Sequence, residues 1–416
     1  MVELLVMAGA IFGFAMVSRR ATMSSVTAPM VFTAAGLLVG TLGADLFDLS
    51  LGGEVVATLV EATLVLVLFT DAARIDLRAL RSNAGIPGRL LGVGLPLTIL
   101  AGTGTAALVF RDLTLVEAGL VAAILAPTDA ALGQAVVSDR RLPVRIRQSV
   151  NVESGLNDGM MVPVVTVLLA IAAAEAGGTD GWGGLIAQQL GFGLLAGLVA
   201  GGLGGRLLHH RSAAGAVDGI YRQLATLAVA AGAFAAAEVL HGNGFIAAFV
   251  AGLAFARAAT TECADVQDFT EDEGELLTAV TFFIFGAALA GPRLADWTWQ
   301  IGLYALASLT VVRVVPVLLA LARSGTLVET RLFLGWFGPR GLASILFALI
   351  VSQELDSPRV ETVLDIAVWT VLVSVYAHGL SASPWAARLG ARLSGGHPDM
   401  PERGPATELP TRRTIG

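Results

Sequence analysis

The chain has 416 residues, of which 55% are hydrophobic and only 14% charged, with a mean hydropathy of +0.76 and a formal net charge of −7. Soluble globular domains are about one-quarter charged, so water is not the main solvent of this chain, and a nucleic-acid-binding surface is not expected. Apolar runs of about 17–25 residues recur along it, the length that spans roughly 30 Å of hydrocarbon, while the ten-residue alternation of an outer-membrane barrel is absent.

In chain order the apolar runs are centred near residues 10, 35, 62, 98, 125, 162, 195, 230, 250, 281, 309, 342 and 372, about thirteen spans in all. The first run follows acidic Glu3 and precedes Arg19 and Arg20, which reads as an uncleaved span and not a signal peptide. No lysine occurs, so arginine alone reports orientation. One side receives Arg19 and Arg20, Arg74 to Arg89, Arg140 to Arg147, Arg206 to Arg222, Arg257, Arg323, Arg331 and the tail from Arg388. The other receives only Arg111, Arg293 and Arg359. Cationic loops stay in the cytoplasm, so the N-terminus is expected outside and the C-terminus inside, in an inner membrane. The expected layout is a membrane domain over 1–392 and a disordered cytoplasmic tail over 393–416. Cys263 and the acidic stretch Thr260 to Glu275 read as a loop. No GxxxxGK[ST] motif, nucleotide domain or cofactor motif is present, so energy for transport has to come from an ion gradient.

The fifth, sixth and twelfth spans set charge beside helix-breaking or polar residues, which is costly in a bilayer and therefore informative. The fifth, LVEAGLVAAILAPTDAALGQAVV, is broken by Pro127 and continues at once into Thr128 and Asp129. The sixth, SVNVESGLNDGMMVPVVTVLLAIAA, places Glu153 under Asn157 and Ser154 under Asp158 at helical spacing, with Pro163 expected to free the Gly159 carbonyl. The twelfth, LFLGWFGPRGLASILFALIV, sets Gly338, Pro339 and Gly341 around Arg340. Irregular backbone at this depth is tolerated only in protein or beside a cavity. Two interruptions in matching positions point to inverted-topology repeats of six spans, about 1–175 and 216–392, joined by a linker helix over about 183–208, with the site where the interruptions cross. Taken singly, an intramembrane proline or acid is often structural. Glu61, Glu117, Glu238, Asp365 and Arg313 stand isolated and read as packing residues, and His378 as a hydrogen-bonded core histidine. The run GLLAGLVAGGLGG reads as close helix packing.

The segments APTDAAL (126–132), ESGLNDG (153–159), GNGFIAAFVAGL (242–253), GPRGLASILFAL (338–349) and AHGLSASP (377–384) resemble the monovalent cation:proton antiporters of type 1, the sodium/proton exchanger branch. The resemblance spans nearly the whole chain. It implies an all-α polytopic protein with two crossed, broken helices in a core domain beside a dimerisation domain, working as an elevator-like homodimer in the lipid bilayer. It implies that Asp158 is the exchanging carboxylate, with Asn157 beside it where electrogenic relatives have a second aspartate. It further implies Thr128 and Asp129 at the first crossover, Ser154 as an ion ligand and Glu153 paired with Arg340. Asp71 resembles an acidic position able to reach the ion from the dimer side; the alternative place for it is the cytoplasmic mouth beside Arg74. The implied function is exchange of a monovalent cation, sodium (or lithium) before potassium, for protons, one for one and electroneutral. The chemistry is consistent: Asp158, Ser154, Thr128 and a freed carbonyl offer a hard cation its oxygen ligands. A neutralised carboxylate crosses the barrier region that an empty, charged one cannot. An intramembrane protease and a channel are the readings from other classes; no serine/histidine pairing supports the first.

Overall fold

The computed structural model describes residues 2–22, 26–42, 54–75, 85–175, 182–259, 263–355, 357–395, 400–404 and 406. Among these every regular element is helical. The helices are α1 (Val2–Thr22), α2 (Ala28–Leu42), α3 (Glu54–Ala73), α4 (Gly85–Val109), α5 (Leu115–Ile124), α6 (Ala130–Val137), α7 (Val144–Glu175), α8 (Trp182–Ala213), α9 (Gly219–Val239), α10 (Gly244–Ala258) and α11 (Cys263–Ile284). Then follow α12 (Trp299–Leu309), α13 (Val311–Ala320), α14 (Val328–Trp336), α15 (Leu342–Glu354) and α16 (Val360–Ser394). Six described segments, α4, α7, α8, α9, α12 with α13, and α16, are long and apolar enough to cross a membrane. Each span centre read from hydropathy falls in a helix except Leu125, which falls at a break.

Local chemistry explains the short helices. A capping box between Thr114 and Glu117 starts α5, which stops just before Pro127, because a residue preceding proline is disfavoured in helical geometry. Asp129 then caps α6. In the second half, α14 ends at Trp336 and α15 begins at Leu342, with Gly338, Pro339 and Gly341 between them. The two interruptions touch: the Asp129 amide donates to the Pro339 carbonyl at 2.8 Å. By contrast α7 runs unbroken through Pro163.

The α8–α10 contact is built differently. Gly193, Gly197 and Gly201, spaced one turn apart, face α10 and the residue before it, and a Cβ on any of them would lie under 3.0 Å from the carbonyl oxygens of Asn243, Ala247 and Ala251. The backbones therefore meet with nothing between them, the close packing expected for the glycine-rich span. Helix α3 packs on α10 as well, with Gly252 against Phe69 and Ala72.

Two expectations are corrected here. Cys263 opens helix α11, so the acidic stretch is helical from that residue onward; Thr260 lies outside the described residues. The tail is not wholly disordered either. Pro401–Arg403 forms a 3₁₀ turn whose Glu402 is fully buried and accepts from the Leu327 amide at 2.6 Å and the Thr330 hydroxyl at 3.0 Å. Leu327 is the N-cap position of α14 and has no capping side chain of its own, so Glu402 supplies the missing acceptor from the other end of the chain. Arg145, in the first turn of α7, donates to the Pro401 carbonyl, and Arg403 holds the last carbonyls of α16. Residues 396–399, 405 and 407–416 lie outside the described residues.

Candidate functional site

Four half-helix ends converge where the interruptions cross, and each end carries partial charge from unpaired backbone groups. Asp129 serves two of them. Its Oδ1 accepts from the Leu132 amide of α6 at 2.7 Å, and its Oδ2 from the Leu342 amide of α15 at 2.6 Å. One carboxylate thus caps both N-termini. Gly341 makes this approach possible, since a Cβ there would fall under 3.0 Å from Asp129 Oδ2. Arg340 serves the C-terminal end of α5, donating from one Nη to the carbonyls of Ala126 at 2.5 Å and Pro127 at 3.1 Å.

Beside this frame, α7 contributes the polar stripes expected from its spacing. Asn157 donates from its amide nitrogen to Thr128 Oγ1 at 2.7 Å, and Thr128 Oγ1 lies 2.9 Å from Ser154 Oγ. Thr128, Ser154 and Asn157 are thereby joined across the first interruption. Asp158 stands one turn beyond Ser154 on α7, and its side chain is buried. The Asn157 carbonyl oxygen is buried and accepts no hydrogen bond among the described residues, so the cluster keeps an oxygen able to face a cation. Asp71 comes close to the site, its backbone carbonyl 3.9 Å from where a Cβ of Gly155 would be. Its carboxylate lies 4.0 Å from Arg74.

The expected pair of Glu153 with Arg340 is not formed. Glu153 instead pairs with Arg313 of α13, Nη2 to Oε1 at 2.5 Å, both side chains buried. Arg340 sends one Nη to the Ala126 and Pro127 carbonyls of the first interruption, and Arg313 reaches Glu153 because α12 and α13 are separated by a break at Thr310 that places Arg313 in the first turn of α13. A Cβ at Gly338 would fall under 3.0 Å from Arg313 Nε, so the same side chain also abuts the second interruption. Asp129, expected at the first crossover, has each carboxylate oxygen on a helix N-terminus. Two other acids read as isolated have partners: Glu117 pairs with Arg359 at 2.7 Å, and Asp365 with Arg293 at 3.2 Å. The signal for Arg313 was present in the sequence, a guanidinium inside an apolar helix, which requires a partner somewhere.

Two interrupted helices crossed at a buried polar cluster define a secondary transporter of the discontinuous-helix class. Comparison with known proteins narrows this. Residues 6–388 match the family model described as sodium/hydrogen exchanger, transmembrane, and the chain belongs to that family. It is 26% identical over 361 residues to the K(+)/H(+) antiporter NhaP of Alkalimonas amylolytica, covering 85% of this chain and 61% of that protein. It is 28% identical over 366 residues to the K(+)/H(+) antiporter NhaP2 of Shewanella sp. (strain ANA-3), covering 86% and 62%. The chain thus spans about three-fifths of the length of these curated relatives. Among solved structures it resembles the sodium proton antiporter MjNhaP1 of Methanocaldococcus jannaschii, with a TM-score of 0.77 at 19% identity over 95% of this chain and 99% of that one. The fold is that of a multi-pass cation:proton antiporter.

Proposed function

We propose that the chain exchanges sodium for protons, one for one, at Asp158 in the inner membrane, by alternating access of two inverted repeats in a homodimer. The observation that carries this reading is the hydrogen-bonded Thr128–Ser154–Asn157 cluster beside buried Asp158, at the crossing of two broken helices. Oxygen atoms of Asp158, Ser154, Thr128 and Asn157 suit a hard monovalent cation. A bare carboxylate at this depth is costly, whereas the proton-bound or cation-bound form is near neutral and moves. Proton and cation therefore alternate on one group. Asn157 adds no second titrating acid, and Glu153 is held by Arg313, so one proton per cation is the simplest cycle. Asp129 is fixed between two helix N-termini and holds the frame of the crossing.

Sodium is put first because the structural relative matched over nearly its whole length is a sodium proton antiporter. Potassium is the second reading, supported by the names of the curated relatives, which extend well beyond the part they share with this chain. Purified protein in proteoliposomes with an imposed pH gradient decides between them. Sodium, lithium and potassium are added in turn, under a voltage set with an ionophore for an ion other than the one tested. Sodium-driven collapse of the gradient, with a rate insensitive to voltage, is the expected result. Collapse with potassium alone selects the second reading. A voltage-dependent reversal point overturns the one-for-one cycle, and no response to any of the three cations overturns the function.

A further inference from the structure

Three of the four half-helix ends at the crossover are served by Asp129 and Arg340, and the fourth, the C-terminal end of α14, is served from α16. His378 Nε2 lies 2.8 Å from the Trp336 carbonyl, the last residue of α14, and its Nδ1 lies 3.0 Å from Ser374 Oγ. Ser374 Oγ in turn accepts from the Arg340 amide at 2.6 Å. The donors can be assigned from chemistry alone. A carbonyl only accepts, so Nε2 carries the hydrogen that meets Trp336. Ser374 Oγ already accepts from Arg340, which leaves its own hydrogen free for Nδ1. The Ser374 carbonyl, also 3.0 Å from Nδ1, is the alternative partner, and it is already engaged by the helical geometry of α16.

The result is one directed chain: Arg340 N–H to Ser374 Oγ, Ser374 O–H to His378 Nδ1, His378 Nε2–H to Trp336 O. It begins on the far side of the second interruption and ends on the near side. The Trp336 carbonyl also takes the Gly338 amide at 2.8 Å, so both its lone pairs are used. His378, Ser374 and Arg340 are all buried, and the ring is packed against Trp336 at 5.0 Å between centroids and against Phe337 at 6.4 Å. Nothing else described bridges the two edges of this gap by side chain.

We propose that His378 and Ser374 are positioning residues for ion exchange: they clamp the second interruption at the spacing that lets Arg340 reach the Ala126 and Pro127 carbonyls and so fixes Thr128 over Ser154. The proposal deepens the antiport reading and rests on it for its transport consequence, while the clamp itself is testable without transport. Neither residue touches the cation.

The experiment pairs two readouts on full-length His378→Ala, His378→Gln and Ser374→Ala. The first is hydrogen–deuterium exchange in detergent. The expected result is about tenfold faster exchange in the peptide covering 337–342 for His378→Ala and for Ser374→Ala, with α8 peptides unchanged, because the Arg340 amide loses a buried acceptor or the acceptor loses its orientation. The second is cation-driven proton flux in proteoliposomes, where both variants are expected to raise the apparent cation KM about tenfold. The double variant His378→Ala/Ser374→Ala should be no worse than either single one, as members of one chain require. His378→Gln, which keeps a donor for Trp336, should recover more than half of the protection and of the affinity. Wild-type exchange over 337–342 in both alanine variants overturns the clamp, whatever the wild type transports. A lowered melting temperature with unchanged KM in the folded fraction overturns the positioning role and leaves packing only. Absence of cation-driven flux in the wild-type protein overturns the antiport reading, and the exchange readout still decides the clamp.

Discussion

The crossover and the α8–α10 contact solve the same problem, holding helices in register inside a membrane, by opposite means. At α8–α10 the side chains have been removed: Gly193, Gly197 and Gly201 let backbone meet backbone. At the crossover the backbone has been opened, and side chains replace it, Asp129 on two helix N-termini, Arg340 on two carbonyls, Glu153 on Arg313. Dispersion between close backbones is spread over many small terms, whereas the crossover depends on a few large ones. The difference teaches where function can reside. A backbone seam has one good arrangement, but the polar cluster beside a frame of helix ends keeps an oxygen, Asn157 Oδ1, that accepts no hydrogen bond among the described residues and near which an ion can be held.

That contrast predicts a ranking of effects. The largest is at the buried ion pair: Glu153→Ala or Arg313→Ala leaves a lone charge and is expected to cost about 3–5 kcal/mol, with the double variant costing clearly less than the sum. Thermal unfolding of the four proteins in detergent forms the cycle. Glu153 with Arg340 should come out closer to additive than Glu153 with Arg313, and the reverse order would restore the pairing suggested by the sequence. Next is the backbone seam. Gly197→Val forces α8 and α10 apart and is expected to cost about 1–3 kcal/mol, with the apparent cation KM of the folded protein unchanged. A large KM change there would show that the seam and the site are not separate devices. Asp129→Asn, which keeps one acceptor oxygen and loses the other, is expected to cost about 1–2 kcal/mol and to slow exchange. The smallest is the tail contact: Glu402→Ala removes the cap on α14 and is expected to cost about 1 kcal/mol, read as a lower melting temperature.

Much of this was legible in the sequence because it is local. The span centres, the Pro127 and Pro339 interruptions and the two α7 stripes, Glu153 with Asn157 and Ser154 with Asp158, follow from apolar length, helix-breaking residues and fourfold spacing. What escaped is long-range. Arg313 lies 160 residues from Glu153, and Leu342 lies 213 from Asp129. Residue spacing says nothing about which of two buried arginines a glutamate meets. Arg340 instead sends one Nη to two backbone carbonyls, those of Ala126 and Pro127, groups the sequence does not display. The buried turn at Glu402 escaped for a related reason: a segment rich in glycine, proline and arginine reads as disordered, and only the uncapped end of α14 gives it a place to dock. Cys263 and the acidic residues after it read as a loop because charge is not expected in a span, yet acidic residues do not bar helix formation, and the helix opens at Cys263.

The central claim is that one carboxylate, Asp158, carries the cation and the proton in turn. Exchange by purified wild-type and Asp158→Asn protein in proteoliposomes tests it, measured at several pH values with the cation that drives the wild type. The account predicts that the apparent cation KM of the wild type rises about tenfold per unit of falling pH once the site is mostly protonated, since both ligands bind one group. It predicts that Asp158→Asn, folded and with an unaltered melting profile, moves no protons in response to the cation. Cation-driven proton movement retained in Asp158→Asn would contradict it.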